Sequence, residues 1–206
     1  MKSKGFSLTE LTVVGAIILI VSGLSLPSLS RVIDSVRVKT AAQQAASLYQ
    51  QARIRATQDD TYYDVVANGT GSLCLDLDGN GACDATEPAA TVPGGVALSN
   101  VGIPVPLDAT VLGFNPLSLE TSTTYTAGGS VVSGIAWNSR GLPCQKLSST
   151  SPCSNWLAGG GGPVGWVEYV QLQRPSANVY AAVVVSPTGK IKIWNYSPDG
   201  SGVNWR

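Results

Sequence analysis

The feature that most constrains this chain is an uncharged run at residues 11–30, with Glu10 at its lip and Lys2 and Lys4 ahead of it. A helix of that length covers roughly 30 Å at about 1.5 Å per residue, the thickness of a bilayer's hydrocarbon core. A secretory signal has a shorter apolar region that ends in a small-residue cleavage site. Here the obvious small residue, Gly5, precedes the run, so a cut beside it leaves the span attached to the mature chain. Glu10 is the anomaly, because an acidic residue at the edge of a span is costly in lipid. The competing reading is a single-pass anchor with a stray acid.

The string Gly5-Phe6-Ser7-Leu8-Thr9-Glu10, the run behind it and Pro27 occur together in register. They resemble the class III signal of type IV pilins and type II secretion pseudopilins. The resemblance implies cleavage after Gly5 by a membrane-embedded aspartic peptidase, the prepilin peptidase, and N-methylation of Phe6. Glu10 then matches the family's glutamate five residues into the mature chain, and Pro27 falls where many pilins carry a helix-kinking proline. Residues 1–5 become a cleaved leader, and residues 6–30 the transmembrane half of an N-terminal helix in the inner membrane. The positive-inside rule is nearly silent, since Lys2 and Lys4 precede the run while Arg31, Arg37 and Lys39 follow it. The cytoplasmic leader and the periplasmic body are therefore implied by the resemblance.

With 206 residues the chain allows one domain of ordinary size plus an anchor. Its formal charge is zero but unevenly divided. Before residue 60 there are seven basic and three acidic residues; from Asp60 onward there are six basic and ten acidic ones. An acidic body is a poor generic nucleic-acid binder. The absence of histidine excludes His-based triads, His general bases and His metal ligands. Glu87, Glu120 and Glu168 are scattered, so the expectation is a protein that is not an enzyme. Twenty-three glycines and few charges suit a loop-rich β domain.

After the run, Val38, Ala41, Ala45, Leu48 and Ala52 recur at spacings of three and four, with Ala42, Tyr49 and Ala56 beside them. Lys39, Gln43 and Gln50 occupy another face. This predicts an amphipathic helical half over residues 31–59, ending near Asp59-Asp60. Its Ala-rich stripe is narrow enough to pack closely on a β domain and too small for a solvated coiled coil. Residues 60–206 read as that domain. Apolar or alternating segments at 62–67, 72–75, 95–99, 131–138, 166–172, 179–185 and 190–194 are divided by Gly, Pro, Asn and Ser clusters. Residues 174–178 read as a hairpin connection and Pro187-Thr188-Gly189 as a turn, so the last three strands are expected to be successive and antiparallel. Residues 158–163, with four consecutive glycines, read as a flexible loop. The fold class is α+β, a long N-terminal helix packed on an antiparallel β domain.

The Asp/Gly/Asn loop after Leu75, the Ile135-Ala136-Trp137 strand followed by Gly141, and the strand-turn-strand from Val184 to Lys192 resemble the GspH/FimT family of minor pseudopilins and minor pilins. The long Pro/Thr/Ser-rich middle at residues 88–129 and the second cysteine pair depart from that family's usual pattern.

The four cysteines form two equally spaced pairs, Cys74/Cys83 and Cys144/Cys153. Zinc sites use tighter spacings and four convergent ligands, whereas an even count outside the cell reads as disulfides. Three connectivities are possible; the local one is favoured because each pair brackets one Gly/Ser/Pro-rich loop. Closing such a loop stabilises by roughly 2–3 kcal/mol in the chain-entropy account.

The sharpest site motif runs from Asp76 to Glu87 and satisfies D-x-[DN]-x-[DN]-G-x₅-E in full. Asp76, Asp78 and Asn80 would supply side-chain oxygens to calcium and Ala82 its carbonyl. Asp84 would act through water, and Glu87 would bind through both oxygens. Yet Leu73–Leu75 looks like a strand and Pro88 opposes a following helix, so this is a calcium-type loop in a β setting. The competing reading is an Asp/Asn/Gly hairpin turn that binds nothing.

The resemblance implies a structural minor subunit of a type II secretion pseudopilus or type IV pilus, whose partners are other pilin or pseudopilin subunits. Glu10 would neutralise a neighbour's methylated N-terminus. The alternative is a FimT-like DNA-capturing minor pilin. Gly189-Lys190-Ile191-Lys192 matches the charge pattern of a basic element some FimT-like proteins use, and Arg206 ends the chain.

Overall fold

The computed structural model describes residues 7–68, 71–99, 103, 106–107, 109–117, 125–127, 130–132, 134–145, 153–156, 162–173, 179–196 and 205. Gly5, Phe6 and Arg206 lie outside them, as do residues 174–178 and most of the glycine run. Helix α1 (Leu8–Gln58) has 51 residues, and the chain divides into two compact units, residues 1–36 and 37–206.

In the first unit α1 opens on Ser7, whose carbonyl accepts the Leu11 amide at 3.2 Å. The Ser7 amide donates to Glu10 Oε2 at 3.2 Å. Ser7-Leu8-Thr9-Glu10 thus makes the backward half of a capping box, in which a third-position acid satisfies the cap residue's own amide. Behind it Leu8, Leu11, Val13, Val14, Ile17, Ile18, Leu19, Ile20 and Val21 are all exposed. Pro27 lies within the helix, and the side chains of residues 24–29 and 31 are outside the description. Among the described residues, no helix is long and apolar enough to cross a membrane.

In the second unit α1 buries the stripe that the spacing predicts. Val38, Ala41, Ala42, Ala45, Ala46, Leu48, Tyr49, Ala52 and Ala56 are all buried. The helix ends one residue short of the predicted Asp59-Asp60. Asp60 takes φ 49°, and the Thr61 amide donates back to the Ala56 carbonyl at 3.2 Å. That is the six-to-one bond of a Schellman ending with a left-handed residue after the cap; aspartate tolerates that conformation better than most side chains.

Strands follow in chain order: β1 (Tyr63–Asn68), β2 (Ser72–Asp76), β3 (Ala89–Thr91) and β4 (Val96–Leu98), then the short helix α2 (Ala109–Leu112). Next come β5 (Pro116–Leu117), β6 (Tyr125–Ala127), β7 (Ser130–Val132), β8 (Gly134–Trp137) and β9 (Pro143–Cys144). The last three are β10 (Gly165–Leu172), β11 (Tyr180–Val185) and β12 (Ile191–Asn195). One sheet has the order β3-β2-β1-β8-β9; a second runs β12-β11-β10-β4, with β5 joined to β10 in parallel. All other pairings are antiparallel, and the last three strands are successive, with Val167 opposite Val184 and Val184 opposite Lys192. The predicted strand at 131–138 is divided, because β7 pairs with β6 while β8 pairs with β1.

One core joins the helix to both sheets: the Ala stripe of α1 meets Val65, Leu73, Leu75, Trp137, Trp166, Val170 and Val183. Alanines bring the helix backbone close to the sheets, and the tryptophans and branched residues fill the space between. A smaller cluster lies on the opposite face of β10 and β11, where Val167, Tyr169, Ala182 and Val184 pack with Leu107 and Trp205. The period-two alternation of strand side chains assigns odd and even residues of β10 to these two cores.

Candidate functional site

The 76–87 loop leaves β2 at its last residue. Cys74, two residues earlier, is buried and bonded to Cys83 with a Cα–Cα distance of 5.6 Å. The bridge ties the loop's middle to the strand that launches it. Leu75 donates its amide to the Pro88 carbonyl at 2.9 Å, and β3 then pairs with β2. The loop is therefore a β connection closed at both ends, with neither flank helical.

Inside it, carboxylates satisfy the backbone. Asp76 Oδ1 accepts the Gly79 amide and Oδ2 the Gly81 amide, both at 2.7 Å. Asp78 Oδ1 accepts the Asn80 amide at 3.0 Å. Glu87 reaches back across the loop: Oε1 takes the Leu77 amide at 2.7 Å and Oε2 the Asp84 amide at 3.1 Å. Gly79 and Gly81 have φ of 74° and 76°, left-handed values that glycine adopts without a Cβ penalty.

Of the six predicted ligands, Asp76, Asp78 and Glu87 converge, each offering an oxygen within 4.8 Å of the others. Asp84 stands outside that trio and accepts the Asn80 side-chain amide at 2.8 Å. Asn80 turns its own Oδ1 to the Ala82 amide at 2.6 Å. These are hard oxygen donors of the kind that suit calcium or magnesium. Each carboxylate oxygen has a second lone pair beyond its amide bond, so the trio fits a divalent ion.

Asp76 is only 2% exposed. Burial, then a hydrogen bond with Asp78 and the charge of Asp64, pushes its pKa up to about 6, against the opposing pull of the Gly81 and Gly79 amides. Asp64 is the residue that sequence reasoning missed. It lies on β1 directly opposite Asp76 and is itself buried. With Asp78, the two line one cavity of about 280 Å³. No local motif signals Asp64; only the strand register places it there.

The other predicted sites are separate. Cys144 bonds to Cys153 at a Cα–Cα distance of 5.4 Å. Beside that bridge, Gln145 and Ser154 exchange backbone bonds of 2.7 and 2.9 Å. Both bridges are thus the local ones. Lys192 lays its ammonium 3.7 Å from the centre of the Trp194 ring, whereas Lys190 is exposed on the β11–β12 turn. Compared with known protein families, with curated proteins and with solved structures, the chain matches none.

Proposed function

We propose that this chain is a structural filament subunit, a minor pseudopilin or minor pilin of a type II secretion pseudopilus or type IV pilus, anchored in the inner membrane before assembly. The observation that carries the reading is α1. Its early turns expose apolar side chains from Leu8 to Val21 on every side, while its later turns bury a small-residue stripe in a β-rich unit. A contiguous apolar surface of that extent marks an interaction surface. Lipid would cover it in the precursor state, and the helices of neighbouring subunits would cover it in the filament. Glu10 would then sit in an apolar bundle, where a carboxylate is tolerable only beside a cation. The resemblance of residues 5–10 to pilin signals names that cation as the methylated Phe6 amine of an adjacent subunit.

The test compares Glu10→Ala with Glu10→Gln. Glutamine keeps an oxygen for the Ser7 amide and loses the charge; alanine loses both. Both variants are expected in the membrane fraction, cleaved, and both depleted from sheared filaments. Wild-type filament entry by either variant overturns the charge-pairing role. Depletion of the alanine variant alone would assign Glu10 to helix capping.

For the 76–87 loop we propose calcium, held by Asp76, Asp78 and Glu87 with Asn80, the Ala82 carbonyl and Asp84 as further oxygen donors. The convergent trio supports this reading. An ion there would offset carboxylate repulsion and stabilise the β connection that β2 and β3 frame.

A further inference from the structure

An open groove in the 37–206 unit, with a volume of about 610 Å³, is lined by Arg53, Ile54, Thr57, Arg140, Thr188 and Lys190 among others. Its three cations come from three places in the chain: helix α1, the turn after β8 and the turn between β11 and β12. Two glycines bring them together. Gly141 and Gly189 have φ of 69° and 79°, and a Cβ on Gly189 would stand 2.6 Å from the Gly141 carbonyl oxygen. The two turns therefore touch backbone to backbone against α1. Arg53 Nη1 donates to the Gly189 carbonyl at 3.0 Å, which ties its guanidinium to the β11–β12 turn. Arg53, Arg140 and Lys190 are all exposed. Among the described residues, no acidic side chain lines the groove.

Like charges gathered without an acid repel one another, so the arrangement favours an anionic occupant. The rest of the lining selects which kind. Among the described residues no aromatic side chain lines the groove, so bases would find no stacking platform among them. Duplex DNA carries a charge about every 1.7 Å and would extend over a body whose residues from Asp60 onward hold ten acids to six bases. Ile54, 53% exposed, offers an aliphatic contact beside the cations. The volume lies within the range of about 300–1,000 Å³ that holds ligands of several connected groups.

We propose that this groove is a docking site for a carboxylate-bearing peptide segment of another polypeptide, with Arg140 and Lys190 pairing its acids and Ile54 meeting an aliphatic neighbour. The inference does not depend on the filament reading or on calcium.

A random dodecapeptide library is selected against the full chain in non-ionic detergent, and recovered peptides are titrated by fluorescence anisotropy. Recovered sequences are expected to be rich in Asp and Glu beside Leu, Ile or Val. The Arg140→Gln/Lys190→Gln variant should weaken their binding by about tenfold, equivalent to about 1.4 kcal/mol. The charge-matched Lys39→Gln/Lys192→Gln variant, altered outside the groove, should bind as wild type does. Intact disulfides and unchanged circular dichroism establish that the variants fold. Recovery of sequences without acidic enrichment, or equal weakening in both variants, overturns the proposal. So does a single-stranded oligonucleotide that binds tighter than the peptides and is lost with Arg140 and Lys190, an outcome that assigns the groove to nucleic acid.

Discussion

Asp76 is held by two amides, faced by Asp64 and Asp78, and raised to about 6 mainly by burial. A carboxyl raised in the folded state favours folding while protonated. Its contribution is fully present below the unfolded value of 3.8 and is lost as pH rises through about 6. In chelator, the melting temperature of the full chain should therefore carry a component that falls across that window. Calcium competes with the proton for the same oxygens, so millimolar calcium should stabilise more at neutral pH than at the acidic end. The gain is about 2.7 kcal/mol at a hundredfold excess over Kd. Magnesium should do less, because it demands a smaller octahedral shell. Glu87→Ala should abolish most of the calcium effect and Asp199→Ala, outside the motif, none of it. Identical melting in chelator and calcium at neutral pH would leave the loop a plain turn. Tyr49 supplies a second test at this scale. Its ring is fully buried, and among the described residues its hydroxyl has no hydrogen-bond partner. Burial and the Glu168 charge both raise its pKa. Tyr49→Phe removes an unsatisfied polar group, so it should be neutral or stabilising by up to about 1 kcal/mol. Tyr49→Ala should cost on the order of 3–5 kcal/mol through the cavity it leaves. Chemical denaturation of the two variants checks both signs.

Helix α1 closes through a left-handed Asp60, which makes its end adjustable. Crowding of a Cβ in that conformation costs roughly 1–2 kcal/mol, more than the about 0.5–1 kcal/mol of extra chain entropy that glycine brings. Asp60→Gly should therefore raise stability, by up to about 1 kcal/mol. A lower midpoint in denaturant would show that Asp60 does something besides ending the helix. The same helix explains what the sequence reveals and what it hides. Ala41, Ala45, Leu48 and Ala52 repeat over enough turns for the period to fix which face is buried, and the helix lies where that period predicts. Strands β10, β11 and β12 are long, and the Pro187-Thr188-Gly189 turn is explicit, so their order is readable too. In contrast, β3, β5 and β9 have three, two and two residues, too few for any alternation. They exist because a longer partner offers unpaired backbone groups. Asp64 and the Arg53–Arg140–Lys190 groove are hidden for the same reason: strand register and turn packing assemble them from distant positions. The acidic trio is readable because its residues are local, whereas the diversion of Asn80 and Asp84 into bonds with Ala82 and with each other depends on the loop's own backbone path.

At the scale of the whole molecule, the chain divides into an apolar helical beginning and a disulfide-closed β-rich body with an excess of acids. The two disulfides suit an oxidising exterior compartment, and the exposed apolar turns from Leu8 to Val21 form a surface of the kind that marks an interaction site. The filament reading joins these facts through one covalent event, cleavage between Gly5 and Phe6. If Gly5 is the residue before the cut, its missing side chain is what lets the backbone enter the peptidase site, and a branched substitute should block it. Gly5→Val should therefore accumulate as full-length precursor in the inner membrane, with residues 1–5 retained and no methyl group at Phe6. The wild-type chain should give an intact mass that begins at Phe6 and carries the methyl. The body should be unaffected, because both disulfides and all the described core residues lie beyond residue 36; peptide mapping should still link Cys74 to Cys83 and Cys144 to Cys153. That control separates a failure of processing from a failure to fold. Normal trimming of Gly5→Val, or a wild-type chain that keeps its first five residues, would remove the basis for the pilin-type assignment and leave α1 as an anchor of another kind.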